Sequence, residues 1–186
     1  MTPFALALAL LLLAGAAAAQ ETRTTYGDAM RWYTSAADAG SANAQFLLGR
    51  MFETGANRTV DPVAALRWYR KAAQQGHRLA QYQMGLMYQR ANGVARDLAA
   101  AREWYAKAAA QDLPEAQFNL GYLYDRGLGT DRNPGLAGQW YLKAAERGLG
   151  PAQFNLGVLL AGEGSEAGMA ADPVQSWVWL SIAAEG

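Results

Sequence analysis

The sequence predicts an all-α fold: a solenoid of antiparallel helix pairs with a 36-residue period and about nine helices. Three observations predict it. A hexapeptide recurs as AQFLLG at 44–49, AQYQMG at 80–85 and AQFNLG at both 116–121 and 152–157. Trp-Tyr pairs start at Trp32, Trp68, Trp104 and Trp140, in the same step. Each period also carries two apolar patterns of helical spacing, such as Ala44, Leu48, Met51 and Phe52, then Ala65, Tyr69, Ala72 and Ala73.

The elements follow in chain order. Residues 1–19 read as a signal peptide, with an apolar run from Phe4 to Leu13 and small residues ending at Ala19. Gln20 is the expected first mature residue. The run is shorter than the roughly 20 apolar residues that span a bilayer, so cleavage is expected and no membrane span after it. An orphan second-type helix is expected over 26–39, then units at 41–76, 77–112, 113–148 and 149–186. Seven residues before each Trp stands Thr25, Asp61, Asp97, Asn133 or Asp172, all able to cap a helix N-terminus. Pro62, Pro134 and Pro173 come next, where a missing N–H costs nothing. Gly40, Gly76, Asp112 and Gly148 are the expected helix stops. In the last unit the loop GEGSEAGMAAD delays the repeat by three residues, so that Trp179-Leu180 replaces Trp-Tyr.

Gly49, Gly85, Gly121 and Gly157 sit inside the first helix of each unit. An interior glycine costs about 1 kcal/mol relative to Ala, so a close neighbour is expected at each. The alanine pairs 36–37, 72–73, 108–109 and 144–145 are the expected neighbours.

The pattern A-x-x-x-L/M-G-x-x-Y/F, a loop, D/N-P, then W-Y-x-K-A-A-x-x-G resembles the Sel-1-like repeat, a relative of the tetratricopeptide repeat. The resemblance covers residues 25–186. Arg58-Thr59, Asp112 and Leu180 depart from it locally. It implies a right-handed superhelix whose first helices line a concave groove, and an exported bacterial protein that binds other proteins.

Composition narrows the partners. With 16 basic and 16 acidic residues the chain offers no electrostatic reason to bind nucleic acid. Cys is absent, so no disulfide supports the fold. The 6 Trp and 9 Tyr supply apolar bulk for a core without one.

Catalytic signals are absent from the sequence. The single histidine, His77, reads as a turn residue, and no nucleophile motif, phosphate loop or zinc ligand set is present. No catalytic residue, metal or cofactor is expected. Some disulfide-rich relatives are linked to β-lactam hydrolysis, but the paired Cys residues on which that rests do not occur here.

The resemblance places four columns on the groove: Phe46, Tyr82, Phe118 and Phe154; Arg50, Leu86, Tyr122 and Val158; Glu53, Gln89, Asp125 and Ala161; Thr54, Arg90, Arg126 and Gly162. The recurrent aromatics read as packing and the variable columns as the place where specificity is written. Arg50, Glu53, Tyr82, Gln89, Arg90, Tyr122, Asp125 and Arg126 are the candidate partner-binding residues, with Arg90, Tyr122 and Arg126 as the leading patch. The arginines either receive acidic groups of a partner or form surface pairs worth a few tenths of a kcal/mol, roughly, each.

The last helix, PVQSWVWLSIAAEG, leaves Trp177, Val178 and Ile182 without cover as an end interface. Either this end meets another molecule, self-association included, or the chain continues beyond Gly186. The leading expectation is an exported, periplasmic or extracellular adaptor for another envelope protein. A peptidoglycan- or glycan-binding module comes second and a hydrolase third.

Overall fold

A computed structural model of the chain describes residues 28–56, 59–162 and 172–185. The signal segment, the Thr25 cap, Arg58 and most of the GEGSEAGMAAD loop lie outside these residues. Nine helices and no strands occur among the described residues: α1 over 28–38, α2 Ala42–Thr54, α3 Pro62–Gln74, α4 Arg78–Arg90, α5 Leu98–Ala109, α6 Pro114–Arg126, α7 Pro134–Ala145, α8 Gly150–Ala161 and α9 Pro173–Glu185. The first helix of each unit packs along its second, α2 on α3 through α8 on α9. The second then packs on the first helix of the next unit, giving a stack of like interfaces.

Local sequence sets the boundaries. Asp61, Asp97, Asn133 and Asp172 each accept from the backbone N–H three residues on, at 2.8–2.9 Å, so all four described caps act as the spacing predicts. The single histidine caps α4: Ala80 N–H donates to His77 Nδ1 at 3.2 Å. Helix ends turn left-handed at Gly40, Gly76 and Gly148, and at Asp112 with φ +60°.

The interior glycines have a different neighbour from the expected alanines. A Cβ at Gly49, Gly85 or Gly121 would lie 2.7, 2.5 or 2.9 Å from the ring of Tyr69, Tyr105 or Tyr141. At Gly157 it would meet Leu180, 2.7 Å away. Each glycine therefore makes room for the large side chain that follows Trp in the second helix. All three tyrosines are fully buried. Burying a side chain of that size contributes on the order of 2 kcal/mol, which outweighs the glycine's helix cost.

The alanine pairs serve the joint between units instead. Gln45, Gln81, Gln117 and Gln153, all buried, donate through Nε2 to the carbonyls of Ala37, Ala73, Ala109 and Ala145 at 3.0–3.3 Å. The glutamine of AQF thus caps the C-terminus of the preceding second helix, and the alanines leave space for it. Gln75 and Gln111 then donate to Gln45 and Gln81 Oε1 at 2.7 Å. In the third unit Arg147 takes that place and pairs with Asp112 at 2.6 Å, and Gln117 Oε1 is buried without a partner.

Candidate functional site: the groove of first helices

The first helices line one face. Between the first and second units, Phe46, Arg50, Glu53 and Thr54 of α2 face Tyr82 and Gln83 of α4 across an open cavity of about 310 Å³. The start of α6, with Glu115, closes it. One residue from each of the four columns' first unit reaches this space.

The aromatic column packs through its first three members. Phe46 is buried under the next unit, its ring stacked on His77 with centroids 4.6 Å apart. Phe46, Tyr82 and Phe118 lie tilted on Tyr69, Tyr105 and Tyr141 at 5.7–5.8 Å. Phe154, the fourth, is 55% exposed.

Two of the acidic or amide residues chosen as groove contacts also have an internal task. Tyr69 Oη donates to Glu53 Oε2 at 2.6 Å, and Tyr105 Oη donates to Gln89 Oε1 at 2.5 Å. Glu53 and Gln89 therefore join the groove floor to the buried ring behind it. Burial pushes the hydroxyls of Tyr69 and Tyr105 well above the usual phenol range; at Tyr69 the hydrogen bond to the Glu53 carboxylate adds to this. In the third unit Asp125 is one methylene shorter and gives Tyr141 Oη no hydrogen bond; the Asn155 side chain is the polar group that favours its ionised form against burial. Burial raises the Tyr141 hydroxyl to about 12. The fourth unit has Ala161 and Leu180 at the two positions, so the donor and its acceptor disappear together. That paired loss across a spacing of 16 or 19 residues was the signal in the sequence for this role.

The leading patch is only partly assembled. The Arg126 guanidinium lies 5.9 Å from the centroid of the half-buried Tyr122 ring, a cation–π approach at the edge of useful range. Its Nε is 3.8 Å from Asp125 Oδ2, and at 64% exposure this pair is worth little in itself. Arg50 and Arg90 are exposed, and neither forms an ion pair among the described residues. Tyr82 is half-buried and accepts from Asn119 Nδ2 at 3.5 Å. Asn119, like Gln83 on the cavity wall, belongs to a further groove column (Leu47, Gln83, Asn119, Asn155), whose last three members share a carboxamide that the spacing of the sequence did not single out.

On the second helices, Lys71, Lys107 and Lys143 lie over Trp68, Trp104 and Trp140 at 4.0–4.3 Å. The repeated Trp is thus half-covered by its own helix. At the far end, Trp177 is 70% and Ile182 41% exposed, while Val178 is half-buried. No helix among the described residues is long and apolar enough to cross a membrane.

These features define a class: an α/α repeat solenoid with an even scaffold and a unit-to-unit variable groove. The Sel1 repeat family model matches residues 24–41, 42–77, 78–113, 114–149 and 150–186, and the chain belongs to the Sel1 repeat family. The chain is similar to the protective antigen c5321 of uropathogenic Escherichia coli, which displays an SLR fold. The two are 36% identical with a TM-score of 0.78, over 84% of this chain and 33% of that one. It is also similar to a Sel1 repeat protein of Oxalobacter formigenes, at 34% identity and TM-score 0.76, over 84% of this chain and 63% of that one. The chain therefore spans about a third and somewhat under two thirds of these relatives' lengths. No curated protein is matched. Sel1 repeat proteins are protein-interaction scaffolds, and the family's fold is in general non-catalytic.

Proposed function

We propose that this chain is an exported adaptor of the cell envelope that holds a protein partner in its concave groove, in the periplasm. The observation that carries this reading is the contrast within the groove. Its scaffold repeats almost without change, while its variable positions are mixed in charge over the first three units (Arg50, Glu53, Arg90, Asp125, Arg126) and apolar in the fourth (Val158, Ala161). A partner with acidic groups toward the first three units and an apolar segment toward the fourth complements that gradient. Guanidinium–carboxylate contacts there fix register and orientation more than raw affinity. The apolar leader ending at Ala19 supports export.

A glycan-binding module would need an open aromatic platform. Tyr82 is half-buried on Tyr105, and Tyr122 lies near the Arg126 guanidinium. No specific observation favours that reading over the protein partner.

The test is crosslinking of the tagged chain in intact cells, with capture from the envelope fraction beside a variant carrying Arg90→Ala, Tyr122→Ala and Arg126→Ala. One protein captured by the parent and lost with the variant is the expected result. Cell-wall fragments in place of a protein would overturn it. N-terminal sequencing of the mature chain, expected to begin at Gln20, tests export separately.

A further inference from the structure

The cavity between α2 and α4, closed by the start of α6, has about 310 Å³, room for one side chain more than for a length of chain. Phe46 and Leu113, both buried, and Leu79, 38% exposed, give it apolar walls. Three charged residues also reach it: Arg50 and Glu53 of α2, and Glu115 in the first turn of α6. Two carboxylates thus stand against one guanidinium. Arg50 and Glu53 act on the same point: burial raises the Tyr69 hydroxyl, its bond to Glu53 adds to the rise, and the Arg50 charge opposes it. Glu115 is exposed and forms no ion pair among the described residues. Burial raises the Tyr82 hydroxyl against the bond from Asn119; the Glu115 charge adds to the rise, and Arg90, outside the cavity walls, opposes it. The excess negative charge of the cavity therefore lies at Glu115, beside Tyr82.

We propose that this cavity receives a basic side chain, arginine or lysine, of the segment that the partner lays in the groove. The aliphatic stem lies along Phe46 and Leu79, and the charge at its end meets Glu115. The half-buried Tyr82 ring lines the same space and adds an aromatic neighbour for the cation. An acidic side chain is a poorer fit, because Glu53 already answers Arg50 and Glu115 would repel it. The proposal rests on the groove being the partner site. It adds a basic anchor between the first two units to the acidic contacts at Arg90 and Arg126, and charges of opposite sign at the two places set the direction of the segment along the stack.

The probes are acetyl-Ala-Arg-Ala-amide and its norleucine and glutamate counterparts, titrated into the isotope-labelled chain and followed by NMR. The arginine peptide is expected to shift the amides of Leu79–Gln83 and Glu115 saturably, with the norleucine peptide about 5-fold weaker and the glutamate peptide weaker still. Glu115→Gln should weaken the arginine peptide by about the same 5-fold and leave the norleucine peptide unchanged. Glu115 is exposed, so circular dichroism should show the fold intact. The groove triple variant, none of whose three residues lines the cavity, should bind the arginine peptide as the parent does. No saturable shift, equal binding of the arginine and norleucine peptides, or a preference for glutamate would overturn the proposal, whatever partner the crosslinking captures. Arginine binding in the cavity with no groove-dependent partner in cells would support the basic site and overturn the adaptor reading alone.

Discussion

Tyr105 donates its hydroxyl to Gln89 Oε1 at 2.5 Å, and through that bond a groove residue is tied to a fully buried ring. Gln89→Leu would leave the hydroxyl buried and unpaired, at a cost of about 1–3 kcal/mol in urea unfolding. Adding Tyr105→Phe should return part of that loss, because both polar groups are then gone. Equal and additive losses would mean that the bond does not couple the two positions.

The third unit tests the same relationship by gain. Asp125→Glu lengthens the side chain by the methylene that separates it from Glu53, which does reach its tyrosine. The substitution should stabilise the chain by about 1 kcal/mol by giving the buried Tyr141 Oη the carboxylate acceptor that Asp125 does not supply. A lower unfolding midpoint would contradict the assignment.

Gly85→Ala should cost about 1–3 kcal/mol by overpacking, although alanine favours helix, because the new methyl would lie 2.5 Å from the Tyr105 ring. In a Tyr105→Ala background, where the ring is gone, the same glycine substitution should cost less than in the parent chain. The check is thermal unfolding of the single and double variants.

The period made most of the fold legible. Asp61, Asp97, Asn133 and Asp172 announce their helices because capping is a local matter of one side chain and one N–H. Contacts across the stack were harder to read. The interior glycines signalled a close approach, but alanine and tyrosine both recur at the same step, and spacing alone does not say which one faces the glycine. The buried glutamines went unrecognised for a related reason: an amide inside AQF looks like surface until the carbonyl eight residues earlier is placed beside it. In the groove, Glu53 and Gln89 were found as positions, while their bonds to Tyr69 and Tyr105 needed the fold.

His77 gives a pH dependence of known sign. Burial, followed by the nearby Arg78 charge, holds its imidazole below the usual histidine range, against an opposing backbone hydrogen bond. The Ala80 N–H also needs an unprotonated Nδ1 to receive it. The neutral ring's contribution is thus fully present above the ordinary histidine pKa and is lost as pH falls through the lower folded value. Unfolding midpoints measured between pH 7.5 and 5 should drop, and His77→Ser, the residue that caps α2 as Ser41, should flatten that drop.

The most direct test of the groove as the partner site places a photocrosslinking amino acid at Arg126, on the exposed groove rim, or at Arg67, exposed on a second helix. Irradiation of cells should yield one discrete protein adduct from position 126 and none from position 67. An adduct from position 67 alone, or from neither position, would contradict the assignment of binding to the groove.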